Sequence, residues 1–205
     1  MIFKQLFDVK SSTYTYIISS GKGREALIID PVIENIKEYL NTLKELDLKL
    51  VKVIDTHIHA DHISGLNELS KTTKCIKIMG EESESEVIDI RVKDNDKINI
   101  ENIELISIYT PGHTNCSYSF FMKDRVFTGD TLLINGTGRT DFQNGSSEDA
   151  YDSLFNKLLK LPEKTLVYPA HDYNGKKYST IENEKNNNPR LQVSSKEEYA
   201  EIMNN

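Results

Sequence analysis

The segment Thr56-His57-Ile58-His59-Ala60-Asp61-His62 places three imidazoles and one carboxylate within six residues. Neither regular element can aim all four at one point. A helix turns each side chain about 100° from the last, and a strand alternates them between two faces. An irregular loop can converge them if a rigid element delivers it. The preceding run, Leu50 to Ile54, is apolar and β-branched and reads as a strand. Such groups crowded together are costly unless a cation balances them, so the fold is expected to close around a metal. Imidazole and carboxylate suit zinc, iron and manganese.

The other two histidines, His113 and His171, also sit just after predicted strands. Either alone would read as structural. Their place in the chain gives them company. Thr13 to Ser20 is rich in β-branched and aromatic residues and ends in the turn Gly21-Lys22-Gly23. Ala26 to Pro31 reads as a buried strand. Val32, Ile33, Ile36, Leu40, Leu43 and Leu46 recur at helical spacing, which predicts an amphipathic helix before the Leu50 strand. A second cycle follows. Ile103 to Tyr109 is a strand leading into Thr110-Pro111-Gly112-His113-Thr114. Ser117 to Met122 and Arg125 to Thr128 are strands, the second followed by Gly129-Asp130. Ser146 caps a helix carrying Tyr151, Leu154, Phe155, Leu158 and Leu159 on one face. Thr165 to Tyr168 is a strand leading to Pro169-Ala170-His171-Asp172. A loop at Asn186-Asn187-Asn188-Pro189 precedes a short helix near Lys196 to Met203. Two roughly equivalent halves predict two sheets packed face to face with helices outside. No linker interrupts residues 1–205, which predicts a single domain.

Charge narrows the partners. Asp+Glu 32 against Lys+Arg 25 gives a net charge of −7, so nucleic acid is not expected to bind. No apolar run is long enough to span a bilayer, and Met1 to Asp8 lacks a signal-peptide core. Cys75 and Cys116 stand far apart, and two free thiols in a reducing compartment are expected. These readings predict a cytoplasmic protein with a small-molecule substrate. A homodimer is left open.

His57-x-His59-x-Asp61-His62 is followed in order by His113 in Pro-Gly-His-Thr, Asp130 in Thr-Gly-Asp and His171 in Pro-Ala-His-Asp. This series resembles the metallo-β-lactamase superfamily. The resemblance implies an α/β (α+β) fold: an αββα sandwich of two packed mixed sheets with helices outside and the site at one edge. More specific blocks follow. They are Phe127 to Ile134, Gly138-Arg139-Thr140-Asp141-Phe142-Gln143-Asn144-Gly145, and Tyr168-Pro169-Ala170-His171-Asp172-Tyr173-x-Gly175. Ser179-Thr180-Ile181-Glu182-x-Glu184-Lys185 and Asn188-Pro189-Arg190-Leu191 complete the run. Together they are similar to the persulfide dioxygenases, relatives of glyoxalase II, over nearly the whole chain. Two positions depart from that pattern: Cys116 stands where the family often has glycine, and Thr137 where some relatives carry cysteine. Neither removes a metal ligand.

The resemblance implies one Fe(II) per chain, held by His57, His113 and Asp130, with open positions for a thiol persulfide and O2. His59, Asp61, His62 and His171 would then be a second metal site or the hydrogen-bonding surround of the first. The implied reaction converts a low-molecular-weight persulfide, usually glutathione persulfide, to sulfite and free thiol. Arg139 is expected to pair with a substrate carboxylate, or alternatively with Asp141. Tyr173 and Asp172, beside His171, are candidate catalytic residues. Tyr173 is also a candidate substrate contact, unless it only packs. The rival enzyme is a glyoxalase II-like thioester hydrolase with two zincs. Its relatives carry an extra C-terminal helical region that a chain ending at Asn205 leaves no room for. A metal-stabilised binding module fits least, because structural zinc sites are closed and often Cys-rich.

Overall fold

Period-two alternation along the strands sorts side chains into the layers of the molecule. In β2 (Thr13–Ser19), Tyr16 and Ile18 face one core while Ile17 faces another. In β3 (Glu25–Ile29), Leu27 and Ile29 share the first core and Ala26 and Ile28 the second. A strand buried on both faces must lie between two layers. The computed structural model, which describes residues 1–204, shows that arrangement.

One sheet holds β1 (Ile2–Asp8), β2, β3, β4 (Lys49–Ile54), β5 (Ile76–Gly80) and β6 (Ile90–Val92), in that order. It is antiparallel from β1 to β3 and parallel from β3 to β6. The other runs β12 (Ser179–Thr180), β11 (Leu166–Pro169), β10 (Arg125–Gly129), β9 (Tyr118–Met122), β8 (Ile103–Tyr109) and β7 (Lys97–Ile100). There only β10 and β11 pair in parallel. Both sheets are therefore mixed, as expected. Tyr16, Leu27, Ile54, Leu105, Phe120 and Phe127 meet between them. Tyr39 and Leu43 of α1 (Ile36–Glu45) and Leu66 and Leu69 of α2 (Leu66–Thr73) cover the outer face of the first sheet. The second is covered by α3 (Ser147–Tyr151) and the turns that follow it, α4 (Ile181–Asn187) and α5 (Lys196–Asn204), through Ala150, Leu154, Ile181 and Tyr199.

The structure moves several expected boundaries. The helix expected from Val32 starts as a 3-10 turn at Ile33–Asn35. The strand expected to reach Pro31 stops at Ile29, because Asp30 takes a left-handed φ of 51°. Ser146 caps α3 as expected, its hydroxyl accepting from the Asp149 N–H. The helix beyond is α-helical only to Tyr151; Asp152–Lys157 widen into π turns and Leu158–Lys160 tighten to 3-10. No helix among the described residues is long and apolar enough to cross a membrane.

Candidate metal centre

Four strand ends and one strand start meet at one edge of the sandwich. β4 runs into the His57 loop, β8 into the His113 loop, β10 into Asp130 and β11 into His171, while Thr13 opens β2. The strand-to-loop switch after β10 depends on Gly129, which has a left-handed φ of 53° and would place a Cβ 2.8 Å from Thr56 Oγ1. Only glycine takes both the backbone angle and the close approach without strain.

The atoms of His57, His113 and Asp130 that can donate to a metal lie within 4.8 Å of one another. Asp130 Oδ2 is 3.5 Å from His113 Nε2 and 3.9 Å from His57 Nε2. Each histidine has its other nitrogen committed. Thr56 donates its N–H and hydroxyl to the Asp30 carboxylate at 2.7 and 2.9 Å. Its oxygen is then free to accept from His57 Nδ1 at 2.9 Å. His113 Nδ1 donates to the Arg139 carbonyl at 2.8 Å. Both hydrogen bonds fix the tautomer that leaves an Nε2 lone pair facing Asp130. Burial and the neighbouring imidazoles hold the His57 pKa well below the usual range, which keeps that lone pair available.

A second group lies beside the first. His59, Asp61 and His62 offer donor atoms within 4.8 Å of one another. His59 Nε2 is held by Asp30 Oδ1 at 3.2 Å, and His62 Nδ1 by Asp61 Oδ2 at 2.8 Å. Their opposite nitrogens, His59 Nδ1 and His62 Nε2, are buried without a hydrogen-bond partner. Buried nitrogens are seldom left so, and a cation would satisfy both. The donor set thus fits a metal chemically as well as sterically.

His171 links the two groups. Its Nδ1 lies 2.6 Å from Asp130 Oδ1 and its Nε2 lies 2.9 Å from Asp61 Oδ2. Burial opposes its charge, but Asp130 and Asp61 outweigh that and push its pKa up to about 10. Burial likewise raises the Asp130 carboxyl, and His171, His57 and His113 overcome it to hold Asp130 ionised. Thr13, which the sequence marks only as the start of a strand, places its hydroxyl 3.0 Å from His171 Nε2 and 3.3 Å from Asp61 Oδ2. Asp30 and Thr56 were missed as well. Asp30 ends an apolar run, which marks it as a buried carboxylate, but its partner follows only from the parallel β3–β4 pairing.

The remaining expected residues divide. Arg139 forms the alternative pair, Nε to Asp141 Oδ1 at 2.7 Å and Nη2 to Asp141 Oδ2 at 2.8 Å, both side chains exposed. Tyr173 is exposed and stacks on His171, with ring centroids 6.2 Å apart. Asp172, expected among the catalytic residues, accepts from the Asn174 and Lys176 N–H groups within its own loop. Cys75 and Cys116 are free, as expected, and both are buried. A cavity of about 200 Å³ opens beside the centre, lined by Ile58, Thr114, Cys116 and Gln143 among others. A larger one of about 510 Å³, near Asn102 and Asp124, lies at the opposite end of β8 and β10 and has no part in the centre.

The whole arrangement has relatives. The Metallo-beta-lactamase superfamily profile matches residues 9–171. The chain is 41% identical to the persulfide dioxygenase ETHE1, mitochondrial, of Mus musculus, over 100% of this chain and 81% of that protein. It is 31% identical to a hydroxyacylglutathione hydrolase of Dictyostelium discoideum, over 87% of this chain and 70% of that protein. The crystal structure of ETHE1 from Myxococcus xanthus superposes with a TM-score of 0.97 at 45% identity, covering 100% of this chain and 91% of that one.

Proposed function

The chain belongs to the metallo-β-lactamase superfamily, in its persulfide dioxygenase family, and on that premise we propose that it oxidises a low-molecular-weight thiol persulfide, glutathione persulfide being the form to test. One persulfide R–S–SH, one O2 and one water give the thiol R–SH, sulfite and two protons. The observation that carries this reading is the match to persulfide dioxygenases along the whole chain, with His57, His113 and Asp130 converging as a two-His-one-carboxylate set.

The ligand assignment is part of the proposal: His57, His113 and Asp130 would hold one ferrous iron. An iron held there would supply the redox and Lewis-acid chemistry that joins a soft persulfide sulfur to O2. The protein's own groups do the rest. Thr56 and the Arg139 carbonyl aim the two imidazoles. His171 bridges Asp130 Oδ1 at 2.6 Å and Asp61 Oδ2 at 2.9 Å through its two ring nitrogens, and so fixes the Asp130 carboxylate. Tyr173, stacked on His171, forms the exposed wall over which substrate enters. The Arg139–Asp141 pair is solvent-exposed and cheap to open, so Arg139 can exchange Asp141 for a substrate carboxylate. Because its donors come from both sheets, we read residues 1–205 as one domain. The two buried free thiols fit a reducing compartment such as the cytoplasm.

A second reading has one specific observation in its favour. The unpartnered His59 Nδ1 and His62 Nε2, with Asp61, suit a second metal, as a thioester hydrolase of the glyoxalase II type would need. Assaying one preparation for oxygen uptake with glutathione persulfide and for hydrolysis of a glutathione thioester separates the two. Oxygen uptake without hydrolysis supports the dioxygenase, and the reverse overturns it.

A further inference from the structure

We infer that the C-terminal segment from Ser179 to Met203 is a brace that sets the aim of His113, acting through the Asn135–Arg139 loop without touching the metal ligands. The inference rests on the reading of His113 as a ligand.

The brace begins at Glu184, which is fully buried. Among the described residues no cation pairs with it. Four neutral donors satisfy it instead. Ser179 Oγ and Asn183 Nδ2 donate to Oε1 at 2.5 and 3.2 Å. Asn188 Nδ2 and the Asn135 N–H each donate to Oε2 at 2.8 Å. A fully satisfied buried network of this kind is rigid, because disturbing any member leaves a buried carboxyl oxygen or its donor without a partner. Its last member, Asn135, lies outside the segment, at a left-handed φ of 57°.

Each following residue is gripped in turn. Asn188 Nδ2 also donates to the Gly136 carbonyl at 2.9 Å. The Arg190 guanidinium lies 3.5 Å from both the carbonyl and the hydroxyl of Thr137, and the Tyr199 hydroxyl lies 3.2 Å from Thr137 Oγ1. Gly138 donates its N–H to the Asp130 carbonyl at 2.8 Å. Arg139 then presents the carbonyl that receives His113 Nδ1–H. A shift at residues 135–137 therefore has one short covalent path, through Gly138, to the group that orients His113.

Packing alone does not need this network. Ile181, Leu191 and Tyr199 already bury the segment against Val126, Leu132 and Leu154. The polar contacts are additional, and they converge on the loop beside the metal centre. This gives Ser179, Glu184, Asn188 and Arg190 a role as positioning residues rather than as plain fold supports.

The test uses the full chain. Cobalt(II) titrated into metal-depleted protein reports affinity, and its visible absorption reports ligand geometry. The variants are Asn188→Ala, Thr137→Val, Tyr199→Phe and the last two combined. Asn188→Ala is expected to weaken cobalt binding several-fold, less than the roughly 10–100-fold for a group bonded directly to a ligand. Thr137→Val and Tyr199→Phe are each expected to weaken it a few-fold and alter the cobalt spectrum. The double variant should be no worse than the worse single, because both act at one contact. Melting of metal-free Tyr199→Phe should match the parent. Tyr199→Phe and Thr137→Val are mild enough to decide the matter if Asn188→Ala fails to fold. Unchanged cobalt affinity and spectrum in them, or affinity losses that only follow the melting temperature, would overturn the brace. His113→Ala is the control. If it binds cobalt like the parent, the ligand assignment fails, and the brace with it.

Discussion

His171 Nδ1 lies 2.6 Å from Asp130 Oδ1, so one oxygen of Asp130 is held by the His171 ring while the other faces His57 and His113. The carboxylate is shared between orienting and donating. Asp130→Ala removes the only carboxylate of the proposed triad and is expected to abolish metal retention. His171→Ala leaves the donor set intact and loosens it, for an expected loss of about 10–100-fold in affinity. Metal analysis after desalting both variants checks this. Equal loss in both would mean that His171 is itself a ligand.

Gly138 has no room for a side chain. A Cβ there would sit 2.3 Å from the Asp130 carbonyl and 2.9 Å from the His113 ring. Gly138→Ala is expected to lower stability by about 1–3 kcal/mol, the usual cost of overpacking, and to lower metal content. Gly136→Ala is the control, since its Cβ would meet nothing nearer than 3.9 Å. Denaturant melts and metal content measured on both variants give the comparison. Equal tolerance at the two positions would show that the loop is slack.

Arg139 contributes to the centre in two separable ways. Its carbonyl holds His113 and survives any side-chain substitution, whereas its guanidinium is exposed on Asp141. Arg139→Ala is therefore expected to keep parental metal content and melting temperature and to raise the KM for glutathione persulfide. Losing a charge-assisted contact to substrate costs about 1.5–3 kcal/mol, which is roughly 10–150-fold in binding. Steady-state oxygen uptake across persulfide concentrations reads it. An unchanged KM in well-folded, metal-loaded variant would remove Arg139 from the substrate site.

Much of the site was legible because each cluster of donors follows an apolar strand. Leu50 to Ile54 announces His57, Ile103 to Tyr109 announces His113, and Arg125 to Thr128 announces Asp130. What stayed hidden depends on contacts distant in sequence. The roles of Asp30 and Thr56 require β3 and β4 to run in parallel with Ile29 opposite Ile54. Thr13 reaches His171 across 158 positions. β1 was not read because its residues are mostly half-buried, and α2 because eight residues with two buried leucines make a faint helical pattern. Asp172 depends on a local contact. It stands next to His171, but its carboxylate turns back onto the N–H groups of its own loop.

The His59, Asp61 and His62 group gives a prediction about metal number. If one iron at His57, His113 and Asp130 suffices, His62→Ala should keep about one iron per chain and most of the oxygen uptake. If the reaction needs both groups, the same variant should lose activity along with half of its metal. Iron and zinc counted by mass spectrometry on parent and variant decide between these.

The most direct test of the account is an oxygen-electrode assay on protein purified without added metal, with iron, O2 consumed and sulfite formed counted on the same sample. About one iron per chain is expected, with oxygen uptake that depends on glutathione persulfide and one sulfite for each O2. Protein carrying two zincs per chain, with no persulfide-dependent oxygen uptake when iron is supplied, would contradict it.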